Sequence, residues 1–326
     1  MTINIYADSN IYRYMAAGEL EITTVGSIQF TYSSIHFDEM LRSGNMDMLR
    51  GIEKLRAVPV VSNENGEYDI DCIGVCLEYE DPYEKFEKYK KDNEHLDNGA
   101  EDTIYEMLLR FLGADNYEEL KNVPTSIIDI ALDAADDNYI DSTELIEKAH
   151  KTAKELEGFI ENDLSSQIPL LETRKAFGFP NGVASHSNED NPIDAIWDHM
   201  KDKVGSATKD QFFGFETIPG VEIEQSRLGS VAGCHLVLNM VGFYPDKGLP
   251  KREKIKNIMS DGQHLGHASL CGAFLTSDSR LYKKAEAIFK YRDFTTQAIH
   301  IPYNAEKMSA ILSEPGSIKR FKVGSG

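Results

Sequence analysis

The chain has few cysteines, a single tryptophan and no long apolar run. Its 326 residues include four cysteines, Cys72, Cys76, Cys234 and Cys271, and no pair stands at the CxxC spacing of a zinc site. Disulfide staples and a structural zinc are therefore excluded as the main source of stability, and the thiols are expected as small buried hydrophobes. No apolar stretch approaches the ~18 residues that a membrane-spanning helix requires. Met1-Thr2-Ile3-Asn4-Ile5 lacks the basic and apolar regions of a secretion signal. The expectation is a soluble, cytoplasmic protein with no membrane partner. Positive charge is scarce as well: 34 Lys and Arg against 54 Asp and Glu leave a net charge of −20. That balance excludes a uniformly basic nucleic-acid binder.

Apolar residues make up 41% of the chain and charged residues 27%, enough to pack a core and too apolar for wholesale disorder. The charge is uneven. Residues 1–70 hold 5 basic and 10 acidic side chains, residues 71–245 hold 15 and 36, and residues 246–326 hold 14 and 8. Only the last segment is net positive, and it is the one suited to meeting phosphate.

Local patterns divide the chain in the same way. Ile3–Tyr6 predicts a strand closing at Asp8, residues 10–17 a short helix stopped by Gly18, and Ile28–Ser33 a second strand. A helical run from about Ser34 to Arg56, interrupted near Gly44, leads to a strand at Val58–Val61. From 81 to 240 the pattern is mostly helical: 83–96, 101–112, 126–135, 142–160 and 193–204, with a loop over 177–191. Strand–helix alternation returns with helices at 251–259, 262–271 and 280–291 and strands at 273–276 and 295–301. Residues 1–80 and 241–326 together have the size of one α/β domain, so the expectation is a central, mostly parallel sheet interrupted by an acidic helical insertion at 81–240.

Four acidic residues stand where open parallel sheets place their sites, beyond the carboxyl ends of strands. Asp8 follows the first strand and Asp278 follows Phe274-Leu275-Thr276; Glu39 lies early in the 34–56 helix and Asp261 opens a later one. Clustered carboxylates repel and hold protons unless a cation sits among them. An all-oxygen donor set favours Mg²⁺ or Mn²⁺ over Zn²⁺, and such an ion serves phosphodiester hydrolysis. Each residue also has a plain role: helix cap for Asp8, Asp278 and Asp261, surface helix residue for Glu39. Spacing alone leaves both open.

Taken together the flanks resemble PIN-like nuclease domains. Ile5-Tyr6-Ala7-Asp8-Ser9-Asn10 is similar to that family's strand ending in D-x-N, and Tyr32-Ser33-Ser34-Ile35-His36-Phe37-Asp38-Glu39 to its strand-to-helix segment carrying Glu. Asp261-Gly262-Gln263-His264-Leu265, then Ala268, then Phe274-Leu275-Thr276-Ser277-Asp278 looks like its D-x-x-[HI]…A…T-x-D signature. The resemblance covers about 140 residues, 1–80 and 241–303. It implies a three-layer α/β/α fold and a quartet of Asp8, Glu39, Asp261 and Asp278 holding Mg²⁺ or Mn²⁺. It further implies metal-dependent cleavage of RNA, less often DNA, with a toxin–antitoxin or antiviral defence system as a family-level context. A 160-residue insertion departs from the compact members of the family and would cap a cleft, self-associate or bind a partner protein.

Other residues would support such a site. Ser9 and Asn10 can hydrogen-bond Asp8, Ser34 precedes Glu39 by about a turn, and His264 shares a helix face with Asp261 and can donate to a carboxylate or phosphate. Lys251, Arg252 and Lys254, flanked by Lys247 and Lys256, together with Arg13 and Arg42, are candidates for the nucleic-acid backbone. Two other functions fit the pattern less well. A haloacid-dehalogenase-like phosphatase needs a second Asp where Asn10 stands, and a non-catalytic binding module has no need of all four carboxylates.

Overall fold

The computed structural model describes residues 2–61, 75–93, 106–110, 114, 116–136, 142–162, 165, 170–179, 190–217, 226–247, 251–303 and 308–313. Cys72, most of the 101–112 helix and most of the 177–191 loop lie outside the described residues. Eight strands are described: β1 (Ile3–Ala7), β2 (Leu20–Val25), β3 (Ile28–Tyr32), β4 (Val58–Val61), β5 (Val75–Cys76), β6 (Ala273–Thr276), β7 (Gln297–His300) and β8 (Met308–Ser313). The helices of the first part are α1 (Ser9–Ala17), α2 (Ser34–Ser43), α3 (Asp47–Lys54) and α4 (Pro82–Asn93). After them come α5 (Tyr117–Leu120), α6 (Val123–Asp136), α7 (Ser142–Asn162), α8 (Leu170–Ala176), α9 (Pro192–Met200) and α10 (Lys209–Phe212). The last are α11 (Arg227–Val241), α12 (Arg252–Ser269) and α13 (Ser279–Tyr291).

The chain divides into two compact units: residues 1–91, 177–245 and 259–326 form the first, residues 92–176 and 246–258 the second. The segment 177–245 therefore groups with the sheet and not with the other helices of the middle. Its α11 explains why, since the helix buries Val231, Cys234, His235 and Leu238 within the first unit. A Cβ on Gly266 of α12 would stand 2.9 Å from the Leu228 carbonyl, so glycine there lets the α11 and α12 backbones meet. That packing also carries α12 through the break expected near 260: one helix runs where two were read.

In the first unit a six-stranded sheet has the order β5-β4-β3-β1-β6-β7. All neighbouring pairs are parallel except the antiparallel β4–β5 edge. The chain winds outward from β1 through β3 to β4, then returns on the other side through β6 and β7. Strand order thus reverses at β1, which makes its carboxyl end the switch point where open sheets leave a crevice. The central strands are buried along most of their length, as parallel strands covered on both faces require. Tyr6, Tyr12 and Phe274 are fully buried, each contributing about 2–3 kcal/mol of apolar burial.

Of two further features, the first agrees with the sequence reading and the second departs from it. The 34–56 helix is split into α2 and α3 because Gly44 takes a left-handed conformation, φ 66°, and its N–H closes on the Met40 carbonyl, ending α2. A second, two-stranded sheet pairs β2 with β8 in parallel, Leu20 opposite Met308 through Val25 opposite Ser313. The second unit is helical, with α6 packed along α7 and a small core of Leu120, Val123 and Ile160. Among the described residues no helix is long and apolar enough to cross a membrane.

Candidate functional site

The carboxyl ends of β1, β3 and β6 deliver Asp8, Ser33 and Thr276 to one edge of the sheet. Asp8 occupies the cap position of α1, yet its side chain makes no capping bond. Instead Oδ2 accepts the Thr276 hydroxyl at 2.8 Å and the Asn10 amide at 3.4 Å. The plain cap role therefore does not account for this carboxylate. Asp8 is only 3% exposed. Burial, and then the charges of Glu39 and Asp278, raise its carboxyl above the ordinary range against the opposing pull of His264 and the Thr276 bond.

Asp278 does cap: its Oδ1 accepts the Arg280 and Leu281 N–H groups at 2.6 and 3.0 Å, opening α13. Its own N–H donates to Thr276 Oγ1 at 3.1 Å, so a single threonine side chain bridges Asp278 to Asp8. Glu39, in the second turn of α2, brings its carboxylate to the same place. His264 Nε2 stands 3.3 Å from Oε1 and Arg13 3.6 Å from Oε2. Burial alone would raise Glu39. The His264 hydrogen bond and its electrostatic pull, with a bond from Ser9 and the proximity of His36, overcome burial and hold the carboxyl well below the usual range.

Behind these groups lies a buried polar layer that the sequence reading does not contain. His264 Nδ1 is 2.8 Å from the Tyr6 hydroxyl, which is 2.7 Å from Ser33 Oγ. His36 packs edge-on against His264, with ring centroids 4.6 Å apart. Burial, and then the neighbouring His264, lower His36 to about 3, so this imidazole is neutral. Tyr6 and Ser33 read as an apolar strand residue and a strand end in the linear sequence, and nothing local signals their meeting.

The remaining candidates are placed as follows. Asp261 lies one turn before His264 on α12, and its carboxylate and the His235 imidazole bring ligand atoms within 4.8 Å of each other. Among the described residues, no three of Asp8, Glu39, Asp261 and Asp278 gather ligand atoms that closely. Ser9 is buried, with Oγ 3.3 Å from His264 Nε2. Ser34 is exposed at the start of α2, whereas its neighbour Ser33 is buried and engaged. Arg42 donates to Ser260 Oγ. Lys251 precedes α12 and Arg252 and Lys254 lie in its first turn, all within the second unit. Cys234 and Cys271 are buried free thiols, and burial pushes both upward, Cys271 to about 12. No family model, curated protein or solved structure matches this chain.

Proposed function

We propose that this chain is a divalent-metal nuclease of PIN-like, three-layer α/β/α architecture that hydrolyses phosphodiester bonds, with RNA preferred to DNA. One observation carries the reading. At the switch point of the sheet, the buried Asp8 carboxyl is free of capping duty and lies within the electrostatic reach of both Glu39 and Asp278. A carboxyl whose proton is held more tightly by burial and by like-charged neighbours is a position where a cation can replace the proton. The donors are oxygens, which suits Mg²⁺ or Mn²⁺. Asp8, Glu39 and Asp278 would hold the ion, with Asp261 completing the quartet from one turn before His264. When bound, the ion supplies charge stabilisation at a phosphoryl oxygen and a more acidic water.

The chain's own residues supply orientation. Thr276 and Asn10 fix the Asp8 carboxylate, and His264 and Arg13 fix the two oxygens of Glu39. Arg13 and Arg42 are the cations that the first unit would offer to a nucleic-acid backbone; Lys251, Arg252 and Lys254 would be a separate basic segment of the second. The acidic helical segments would serve self-association or a protein partner and repel nucleic acid elsewhere on the surface. The test is incubation with labelled single-stranded RNA, tRNA and DNA, with Mn²⁺ and with EDTA. Cleavage by the wild type should require Mn²⁺ and disappear in Asp8→Asn. A folded Asp8→Asn protein of undiminished activity would remove the assignment.

A further inference from the structure

We propose that Tyr6, Ser33 and His264 form a hydrogen-bonded rail that positions the Glu39 carboxylate, with His264 Nε2–H as the donor to Oε1. The role of Glu39 as a ligand rests on the nuclease reading above, whereas the rail stands on the geometry of the first unit. All three rail residues are buried behind the carboxylate, so each is a positioning residue.

The protons can be assigned one at a time, beginning with His36. The Ser33 backbone N–H can only donate, and it points at His36 Nδ1 at 3.2 Å. His36 Nε2 faces the Ala7 carbonyl at 3.0 Å, which can only accept. Nδ1 also lies 3.2 Å from the Ser33 carbonyl, but a proton there would face the Ser33 N–H and leave Nε2 bare against the Ala7 carbonyl, so His36 is the Nε2–H form, pinned between the end of β1 and the start of α2. The same logic fixes His264. An ionised carboxylate only accepts, so the 3.3 Å contact with Glu39 Oε1 places a proton on Nε2. Tyr6 Oη lies 2.8 Å from Nδ1 and 2.7 Å from Ser33 Oγ, so the phenol links the ring to the start of α2 in either sense: it accepts Nδ1–H and donates to Ser33 when the ring is doubly protonated, and donates to Nδ1 while accepting from Ser33 when it is not. Burial raises the Tyr6 phenol well above its ordinary range, so it keeps the proton it donates. No donor meets a donor anywhere along the chain.

The rail closes on the helix it serves. Ser33 is the residue before α2, Glu39 lies on α2, Tyr6 comes from β1 and His264 from α12. Tyr6 and His264 are fully buried and Ser33 is 2% exposed. Polar groups at that depth are costly unless every one is satisfied. Phe, Ala and Leu would fill the same space without that demand, and here the satisfied chain ends on a half-buried carboxylate at the sheet edge. Ligand carboxylates and imidazoles held from behind in this way lose about 10–100-fold in metal affinity when the support is removed.

Two substitutions separate positioning from packing. A glutamine amide N–H reaches the place of Nε2, whereas an asparagine amide reaches only the place of Nδ1. In calorimetric titration of the full chain with Mn²⁺, His264→Asn should weaken binding by at least about tenfold and His264→Gln by no more than about threefold. Equal losses in the two variants, or a loss in neither, would overturn the proposal. Long-range ¹H–¹⁵N spectra of the metal-free wild type should show a proton on His264 Nε2; a ring protonated at Nδ1 alone would overturn it equally. If the wild type takes up no Mn²⁺, the nuclease reading fails, and the spectra by themselves decide the rail.

Discussion

The two units are held together by different means. In the first, the pairings are distant in sequence and the core is deep. Ile5 lies opposite Ala273 and Leu20 opposite Met308, and whole aromatic side chains are removed from water. In the second, neighbours are local. α6 and α7 follow one another in the chain, and the small cluster of Leu120, Val123 and Ile160 forms their core. Exposed pairs such as Glu144 with Lys148 and Glu118 with Lys121 decorate the helices. The polar groups that can do chemistry are found in the first kind of region. Only deep, non-local packing can shift a carboxyl upward, neutralise an imidazole and satisfy a buried hydroxyl at the same time. An acidic helix surface supplies charge without any of those perturbations.

Acid should separate the two units most strongly. His36 is lowered from 6.5 to about 3 and His267 to about 4, in each case by burial first and the neighbouring His264 second. The unfolded chain takes up those protons near the ordinary imidazole value and the folded first unit does not. Stability therefore falls as pH drops through about 6.5 and levels off near 3, by about 1.4 kcal/mol per pH unit for each histidine. Trp197 belongs to the first unit, so its fluorescence in urea titrations from pH 7 to 4 reads that unit alone. A transition insensitive to pH between 6.5 and 5 would contradict the assignment.

A smaller, opposite perturbation should spare the first unit. Leu120 is fully buried in a cluster of few members that can partly collapse, so Leu120→Ala should cost about 2–3 kcal/mol. Hydrogen exchange on α6 and α7 should accelerate while the Trp197 transition stays in place. A shift of both together would show that the units unfold as one.

The smallest effect is a gain. The folded-state carboxyl of Asp8 is raised, so the folded chain keeps this proton to higher pH than the unfolded chain, and the charge costs stability as pH rises from 3.8 through the folded value. Asp8→Asn should therefore stabilise the first unit at pH 7 by about 1 kcal/mol, within the range of single stabilising substitutions. The gain should vanish at pH 3. A lower thermal midpoint for the variant at pH 7 would refute this account.

Much of the first unit was legible because its elements announce themselves locally. Ile3–Tyr6 and Phe274–Thr276 are short apolar runs ended by Asp or by Ser-Asp, and Gly18 and Gly44 stop helices by taking positive φ. β2 and β8 were not legible. Leu20-Glu21-Ile22-Thr23-Thr24-Val25 does alternate weakly, but its partner is a strand from the far end of the chain. α12 was read as two helices because Ser260-Asp261 looks like a cap opening a new one, whereas the helix runs on and Gly262 lets it approach α11 closely. At the sheet edge, Asp8 and Asp278 were legible as candidates from their positions after strands, Glu39 from its place in the 34–56 helix and His264 from its spacing to Asp261. Tyr6, Ser33, His36 and Thr276 were missed because their roles come only from tertiary approach, and the nearness of Asp261 to His235 was missed for the same reason.

The pairing of β1 with β6 also governs when the sheet edge can exist. Asp8 emerges 268 residues ahead of Thr276, the residue that bridges it to Asp278. At about 5–20 residues per second a ribosome needs many seconds to cover that interval. Throughout it, β1 has β3 beside it and nothing on its other flank. A nascent or prematurely terminated chain that stops short of Ala273 would carry Asp8 without the β6 neighbour and the Thr276 hydroxyl that hold its carboxylate.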